Sequence, residues 1–196
     1  MKNKIIPVVT LINEEDTKQK LSALLEGGID IAEITFRTDY AKKGLEYAIN
    51  HFPNMTIGAG TIINVKQAEE AYKLGAKFLV SPGLSIDVAK FCQEKNLDYY
   101  PGCATPTEIM KAIDLGCTII KFFPANIYGG LKALKALSAP FPQIKFIPTG
   151  GIDLTNLEKY LSYEKVYAVG GSFMMKGNIV DNCKKIKEII NATFNK

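Results

Sequence analysis

The sequence predicts an α/β fold, a single-domain (β/α)8 TIM barrel that spans residues 1–196. Short runs of apolar and β-branched residues recur about every 20 to 26 residues, and a helical pattern follows each run, as is typical of parallel βα units. There are eight runs, whereas an open doubly wound sheet of this length usually contains about five or six strands. The chain is long enough for one sizeable core and short for two domains.

The predicted strands are bounded by proline, glycine or polar turn residues. They cover residues 5–10, 31–35, 55–59, 78–81, 97–100, 119–123, 144–148 and 166–169. Asn13 is positioned to cap the first helix, and Gly27-Gly28 to end it. Asn64 and Gln67 have the spacing of a cap on the third helix.

The second half of the chain has equally clear helix signals. Thr105 and Glu108 predict a capping box, with Pro106 at the first helical position. Thr155 and Glu158 predict a second capping box. Residues 179–194 predict a last amphipathic helix. A barrel of so few residues has short loops, so we expect a site made mostly of residues at the carboxyl ends of the strands.

Composition narrows the class of protein. The 47% hydrophobic and 22% charged residues are ordinary for a soluble globular protein, and the net charge of +4 comes without a basic run. The small positive charge without a basic cluster favours small anionic substrates over nucleic acid. No apolar run is long enough for a transmembrane helix or a signal sequence, so we expect no association with a membrane. Four cysteines without a C-x-x-C pair favour free thiols in the cytoplasm over disulfides or a zinc site.

Lys121 stands inside the sixth predicted strand, between Ile119-Ile120 and Phe122-Phe123. A parallel sheet covered on both faces has no solvent side, so this lysine either points into a shared interior or reaches water from a strand end. Burial in an interior disfavours the ammonium, and a free amine is a nucleophile for ketones. This segment alone leaves both alternatives open.

Polar residues share one face of the second predicted strand. Side chains alternate along a strand, so Glu33, Thr35 and Arg37 lie together and can meet Lys121 in one cavity. Lys121 would form an iminium with a ketone, Glu33 would move protons, and the planar fork of Arg37 suits a carboxylate. The alternative is a structural Glu33–Arg37 pair, but residues four apart in a strand are about 13 Å from each other.

Glycine pairs follow the seventh and eighth predicted strands. Gly150-Gly151 and Gly170-Gly171, the latter followed by Ser172, occupy the positions where barrels commonly bind phosphate, with a helix N-terminus facing the anion. One pair alone is a weak signal, because turns use glycine for its backbone freedom. Two pairs at these two strands favour a phosphate site.

Seven segments stand in order along nearly the whole chain: Glu33-Ile34-Thr35-Phe36-Arg37-Thr38, Gly58-Ala59-Gly60-Thr61, Ser81-Pro82-Gly83, Pro101-Gly102 with Thr105-Pro106-Thr107-Glu108, Lys121-Phe122-Phe123-Pro124-Ala125, Pro148-Thr149-Gly150-Gly151 and Gly170-Gly171-Ser172. These segments resemble those of the KDPG/KHG aldolase family, which cleaves 2-keto-3-deoxy-6-phosphogluconate (KDPG) and often 4-hydroxy-2-oxoglutarate (KHG). Together they are far more specific than any one of them.

The resemblance implies a class I aldolase that yields pyruvate and glyceraldehyde 3-phosphate, needs no cofactor or metal and forms a homotrimer. It implies that Lys121 forms the Schiff base and that Glu33 is the general acid/base, acting through a water. The implied substrate-binding residues are Arg37 and Thr61 at the carboxylate, Pro82 and Phe123 as pocket walls, Thr149 beside the substrate, and Gly150, Gly151, Gly170, Gly171 and Ser172 near the phosphate.

Two departures from the family pattern stand out. About four residues precede the first predicted strand, where many relatives have a longer segment that covers the barrel floor. Thr10 stands where some relatives have an arginine, so we expect a weaker anion contact there.

Three rival functions remain. A ribulose-phosphate 3-epimerase needs more than one histidine for its metal, and this chain has only His51, on a predicted surface helix. A non-catalytic phosphate-binding barrel has little use for Lys121 opposite Glu33. The aldolase of the galactonate pathway has the same mechanism, and Thr149 and Ser172 favour the gluconate enzyme over it.

Overall fold

The computed structural model describes residues 4–194, in which parallel strands alternate with helices as predicted. The strands are β1 (Ile5–Val9), β2 (Ile31–Thr35), β3 (Thr56–Gly60), β4 (Phe78–Val80), β5 (Asp98–Tyr100), β6 (Ile119–Phe122), β7 (Lys145–Pro148) and β8 (Val169–Gly171). The helices are α1 (Glu14–Glu26), α2 (Ala41–His51), α3 (Val65–Leu74), α4 (Ile86–Lys95), α5 (Pro106–Asp114), α6 (Gly130–Ser138), α7 (Leu157–Leu161) and α8 (Ile179–Phe194), with a 3-10 helix at Phe173–Met175.

The strands form a six-stranded parallel sheet in the order β5-β4-β3-β2-β1-β8 and a two-stranded parallel sheet, β6-β7. Single backbone bridges connect the two sheets. One joins Gly102, just after β5, to Lys121 in β6, and another joins Thr149, just after β7, to Gly170 in β8. Pairing of β1 with β8 brings the first strand beside the last. The side chains of β2 are buried on both faces, as expected for parallel strands covered by helices.

Capping interactions fix the start of several helices. The side chain of Asn13 accepts a hydrogen bond from the Asp16 N–H, and Asn64 accepts one from Gln67. Thr105 and Glu108 form the predicted capping box, with both reciprocal bonds present. These bonds confirm the three predicted caps. Such caps can be predicted from sequence because each depends only on residues within one turn.

The second predicted capping box is wrong. Helix α7 begins at Leu157, and the Thr155 hydroxyl donates to the Asp153 carboxylate at 2.6 Å. The Thr155 backbone N–H donates to the same carboxylate, so a local turn takes the hydroxyl that the box required.

Strand β8 lies further along the chain than predicted. Val166 makes only a single bridge to Phe146, and the regular strand begins at Val169. Gly170 and Gly171 therefore lie inside the strand and not after it. The residues that follow form the short 3-10 helix, so the α-helix N-terminus expected beside this glycine pair is absent from the described segment. The boundaries of the other strands differ from the predicted ones by one or two residues at most, and those of β2 agree. Helix α8 also has the predicted boundaries.

None of the helices in residues 4–194 combines the length and the apolar character that crossing a membrane requires.

Candidate active site

Lys121 lies in β6 with only 4% of its surface exposed, and its Nζ is 3.4 Å from Oε1 of Glu33 in β2. The alternative in which this lysine reaches water is therefore wrong. The Phe123 ring centroid lies 5.5 Å from the same Nζ, within the range of a cation–π contact. Glu33 is 2% exposed, so the two opposite charges are buried together. Strands β2 and β6 bring these residues together although they are 88 positions apart in the sequence.

Backbone contacts hold both members of this pair. The Lys121 N–H donates to the Pro101 carbonyl, and its own carbonyl accepts from the Cys103 N–H. On the other side, Glu33 lies opposite Gly58 in the β2–β3 register. A Cβ at Gly60 would overlap the Glu33 side chain, so only glycine leaves room for this carboxylate.

Arg37 lies two residues beyond the end of β2, in an exposed turn, and its Nε donates to the Thr61 hydroxyl at 2.9 Å. Because Glu33 pairs with Lys121 instead, the alternative Glu33–Arg37 pair is wrong. Thr61 adopts a left-handed backbone conformation with φ of 59°, which is rare for a β-branched residue. Such strain persists where surrounding structure enforces it, frequently at functional sites. Thr35 instead shares a hydrogen bond with Thr10 at 3.0 Å.

A cavity of about 470 Å³ opens at the carboxyl ends of the strands. The predicted site residues that line it are Arg37, Lys121, Phe123, Thr149, Gly150, Gly151, Gly171 and Ser172. The residues that line it without having been predicted are Val8, Asn126, Ile152, Asp153, Phe173 and Lys176. The cavity therefore collects residues from β1, β2, β6, β7 and β8 or the loops that follow them.

Four predicted site residues, Glu33, Thr61, Pro82 and Gly170, are not part of this lining but contact residues that are, or their neighbours. Glu33 contacts the cavity through Lys121, and Thr61 through Arg37. A Cβ at Gly170 would overlap the Thr149 hydroxyl, so this glycine lets the strand approach Thr149 closely. Pro82 is exposed, and its carbonyl lies against Gly102, which bridges to Lys121.

Glycine backbone forms the part of the cavity wall after β7. Gly150 and Gly151 have φ values of 95° and 73°, which L side chains rarely adopt. A Cβ at Gly151 would also overlap Asn126, so the loops after β6 and β7 pack directly against each other. Successive backbone N–H groups in such turns commonly bind anions.

Asp153 adds a negative charge at the same end of the cavity. Its carboxylate accepts from the Thr155 hydroxyl and N–H, and these bonds lower the pKa of Asp153 below its ordinary value. The carboxylate therefore stays charged at neutral pH. The signal for this residue was present in the sequence, because Asp-x-Thr after a strand is typical of a side-chain-closed turn.

Arg37 is the single arginine in the sequence, and the other 23 of the 24 basic residues are lysines. This contrast is a further signal, because arginine differs from lysine in its planar fork for carboxylates. Asn126 and Lys176 carried no comparable signal, because both are exposed loop residues outside any recognisable motif.

Within residues 4–194, no group of three or more histidine, cysteine or acidic residues is placed to hold a metal ion. His51 lies on the surface of α2, where its ring stacks on Tyr47 at 4.0 Å and its Nδ1 is 3.0 Å from the Tyr47 carbonyl.

The geometry supplies a primary amine shielded from water, a carboxylate within proton-transfer reach and a guanidinium at the cavity mouth. An amine in this setting can add to a ketone carbon, and the resulting iminium accepts electrons from a breaking carbon–carbon bond.

Residues 1–190 match the protein family described as "Aldolase: KDPG and KHG aldolase". The 2-dehydro-3-deoxy-phosphogluconate aldolase of Treponema pallidum is 41% identical over 172 residues, which cover 88% of this chain and 82% of that protein.

Two solved structures are also similar. The KDPG aldolase of Legionella pneumophila, with pyruvate captured as a covalent carbinolamine intermediate, is 39% identical, has a TM-score of 0.87, and the match covers 97% of this chain and 94% of that one. The aldolase of Zymomonas mobilis with 3-phosphoglycerate is 34% identical, with a TM-score of 0.92 and the same coverage of both chains.

Proposed function

This chain belongs to the KDPG and KHG aldolase family, and we propose that it cleaves KDPG reversibly to pyruvate and glyceraldehyde 3-phosphate. It is a class I, Schiff-base aldolase and therefore a carbon–carbon lyase. The observation that carries the proposal is the buried pair of Lys121 and Glu33, with 3.4 Å between Nζ and Oε1, beside a cavity open to a small molecule.

In the proposed reaction, Lys121 Nζ adds to the C2 carbonyl carbon of the substrate. The carbinolamine loses its hydroxyl as water and leaves a protonated iminium. The C4 hydroxyl then gives up its proton, the C3–C4 bond breaks, and its electron pair flows into the iminium to form an enamine, so that glyceraldehyde 3-phosphate departs. Protonation of the enamine carbon and hydrolysis release pyruvate and restore the amine.

Glu33 is the proposed general acid/base for these proton transfers. Its carboxylate lies 3.4 Å from Nζ, and in this role it would exchange protons with the reacting groups through one water. Burial beside a cation also keeps bulk water from competing for this carboxylate. The space that Gly60 leaves for it supports this role.

The remaining predicted residues are proposed to bind the substrate. Arg37, oriented by Thr61, would hold the pyruvate carboxylate, with Phe123 and Pro82 as pocket walls. Thr149 would lie beside the reacting carbons, and the phosphate would lie among Gly150, Gly151, Gly170, Gly171 and Ser172. The shared lining of one cavity by most of these residues supports the assignment.

We also propose that residues 1–196 form a single closed (β/α)8 barrel domain. Support comes from the bridges Gly102–Lys121 and Thr149–Gly170, which span the two gaps between the sheets, and from pairing of β1 with β8. A homotrimer is proposed as well, and the exposed Ile12, Ile63 and Ile127 offer apolar surface for it. The four free cysteines are compatible with a cytoplasmic location, which we likewise propose.

A second activity, cleavage of KHG to pyruvate and glyoxylate, is proposed for the same site. The relative in Escherichia coli named KHG/KDPG aldolase is 36% identical over 90% of this chain, which favours this dual specificity. The galactonate-type substrate remains the alternative. A non-catalytic phosphate-binding role does not account for the buried Lys121–Glu33 pair.

A coupled assay tests this proposal. Pyruvate release from KDPG, from its galactonate epimer and from KHG is followed with lactate dehydrogenase, in wild type and in Lys121→Met. We expect the highest kcat/KM for KDPG, measurable turnover of KHG and no turnover by the variant. Higher efficiency on the galactonate epimer would reassign the substrate, and turnover by Lys121→Met would contradict the mechanism.

A further inference from the structure

Lys176 lies in the wall of the active-site cavity, in the loop that follows β8 and the 3-10 helix. This wall also contains Gly171 and Ser172, so Lys176 belongs to the end of the cavity where the phosphate is proposed to bind. Arg37, at the carboxylate end, follows β2. Strands β2 and β8 flank β1, so the two exposed cations of the cavity stand on either side of Val8.

The backbone at Lys176 is held in place. The Asn182 side chain donates to the Lys176 carbonyl at 2.7 Å and to the Met174 carbonyl at 3.2 Å. The Lys176 N–H also donates to the Phe173 carbonyl at 3.3 Å, which closes the turn. Asn182 belongs to α8, so the loop is tied to a sixteen-residue helix and the root of the lysine side chain is fixed at the cavity wall.

The ammonium of Lys176 is available for a ligand. Among the described residues, its side chain has no ion-pair or hydrogen-bond partner, in contrast to Lys121 with Glu33 and Lys20 with Asp16. The other charged side chains in the cavity lining are Arg37, Lys121 and Asp153, and Oδ1 of Asp153 accepts hydrogen bonds from the Thr155 hydroxyl and N–H.

We propose that Lys176 is a specificity-determining residue that binds the distal phosphate and makes the site prefer phosphorylated 2-keto acids over unphosphorylated ones. This inference rests on the proposed function and adds a side-chain cation to a phosphate site otherwise built of glycine backbone and Ser172.

Charge balance gives the physical reason. A phosphate monoester carries a charge of about −1.5 to −2 at neutral pH. Backbone N–H groups and a serine hydroxyl are neutral donors, and the Asp153 carboxylate repels an anion. A lysine ammonium is a mobile point charge that offsets this repulsion, and hydrogen bonds to charged groups are stronger than those between neutral groups. A substrate without the phosphate gains much less from the same ammonium.

Binding of 3-phosphoglycerate, measured by calorimetry on the full-length protein, tests the contact without any need for turnover. The variants are Lys176→Gln, the charge-preserving Lys176→Arg and the control Lys184→Gln. Lys184 is an exposed lysine of α8 outside the cavity lining, so its replacement changes the net charge equally. We expect Kd to rise about 10-fold in Lys176→Gln, as for loss of one hydrogen bond to a charged group, and to change little in the other two.

An unchanged Kd in Lys176→Gln, or an equal rise in Lys184→Gln, would overturn the inference. Steady-state kinetics measure the preference for the phosphorylated substrate. In Lys176→Gln, KM for KDPG should rise about 10-fold with kcat nearly constant, and the fall in kcat/KM for KHG should be several-fold smaller than that for KDPG. Equal losses on both substrates would contradict a phosphate-specific role.

Failure of the proposed function itself gives a different result. In that case wild-type protein forms no borohydride-stable adduct with pyruvate, whereas the effect of Lys176 on 3-phosphoglycerate binding is still measured.

Discussion

Two cavities lie at opposite ends of the strands and differ in the surroundings of their buried titratable side chains. At the carboxyl ends, Lys121 is buried against the opposite charge of Glu33. At the amino ends of β5 and β6, a cavity of about 200 Å³ is lined by Cys92, Cys117, Tyr99 and other residues. Burial raises the pKa of Cys92 and of Tyr99 to about 12, so these two groups are neutral at physiological pH.

Strand β6 contributes to both cavities. Ile119 lines the cavity at the amino end and Lys121 the one at the carboxyl end, two residues along the same face of one strand. Burial alone leaves a thiol or a phenol protonated and unreactive. At the carboxyl ends, a buried amine and a buried carboxylate lie 3.4 Å apart, and these are the two kinds of group that the proposed reaction uses. The partner charge therefore distinguishes the active end of the strands from the inert one.

Replacement of Lys121 should have the largest effect. Lys121→Met keeps the side-chain volume and removes the nucleophile, so kcat/KM for KDPG should fall by on the order of 10⁴ or more. It also leaves Glu33 buried without its partner, which typically costs about 3 kcal/mol of stability.

The double variant Lys121→Met with Glu33→Gln separates these two effects. It removes both charges, so it should regain much of the lost stability in urea unfolding and remain inactive. A single variant as stable as wild type would show that the pair is not electrostatically coupled.

Replacement of Glu33 alone should have the next largest effect. Glu33→Gln keeps the shape and removes the proton carrier, so kcat for KDPG should fall by roughly 10² to 10⁴. Stopped-flow measurement of pyruvate deuterium exchange at C3 follows the proton step directly. Normal exchange in this variant would assign the acid/base role to another group.

Replacement of Arg37 by lysine should have a smaller effect. The charge is kept, but the planar fork and the bond from Nε to the Thr61 hydroxyl are lost, so KM for pyruvate in the condensation direction should rise about 10-fold. Lys43→Arg is a suitable control, because Lys43 is exposed on α2 away from this cavity. Equal KM values in Arg37→Lys and wild type would remove the carboxylate role.

Replacement of Cys92 should have the smallest effect on activity and a clear effect on alkaline stability. The folded-state pKa is raised to about 12 and an unfolded thiol has a pKa of about 8.5, so the unfolded chain loses its proton first. The stabilising contribution is therefore complete below about pH 8.5 and is lost as the pH rises toward 12.

Urea unfolding of Cys92→Ala at pH 7, 9 and 10.5 measures this contribution. The variant should lose less stability between pH 7 and 10.5 than wild type, with kcat within about twofold. An identical pH dependence in both proteins would contradict the assigned cause, which is burial of the thiol.

Some parts of this structure follow from local sequence signals and others do not. Strand β2, helix α8 and the Thr105–Glu108 capping box were predictable because each depends on side chains a few positions apart. The start of strand β8 was predicted too early because Val166 and Ala168 have the apolar pattern of a strand. In the structure, regular pairing with β1 begins only at Val169, which lies opposite Ile5. The competing turn at Asp153 similarly displaced the expected capping box.

The site shows the same division. A lone charge in an apolar strand marked Lys121, and strand alternation marked Glu33, because strand positions have defined directions. Asn126 lies in a loop that packs against Gly151 of the loop after β7, and the backbone at Lys176 is held by the Asn182 side chain, six positions further along. The sequence does not show that these loops form part of the cavity wall, so these two residues were found only from the cavity.

Reductive trapping tests the central claim most directly. The protein is incubated with pyruvate and sodium borohydride, digested, and analysed by peptide mass spectrometry, with Lys121→Met as the control. We predict a stable pyruvate-derived adduct on the peptide that contains Lys121, together with loss of activity in proportion to labelling. An unmodified Lys121 in protein that still turns over KDPG would contradict the account.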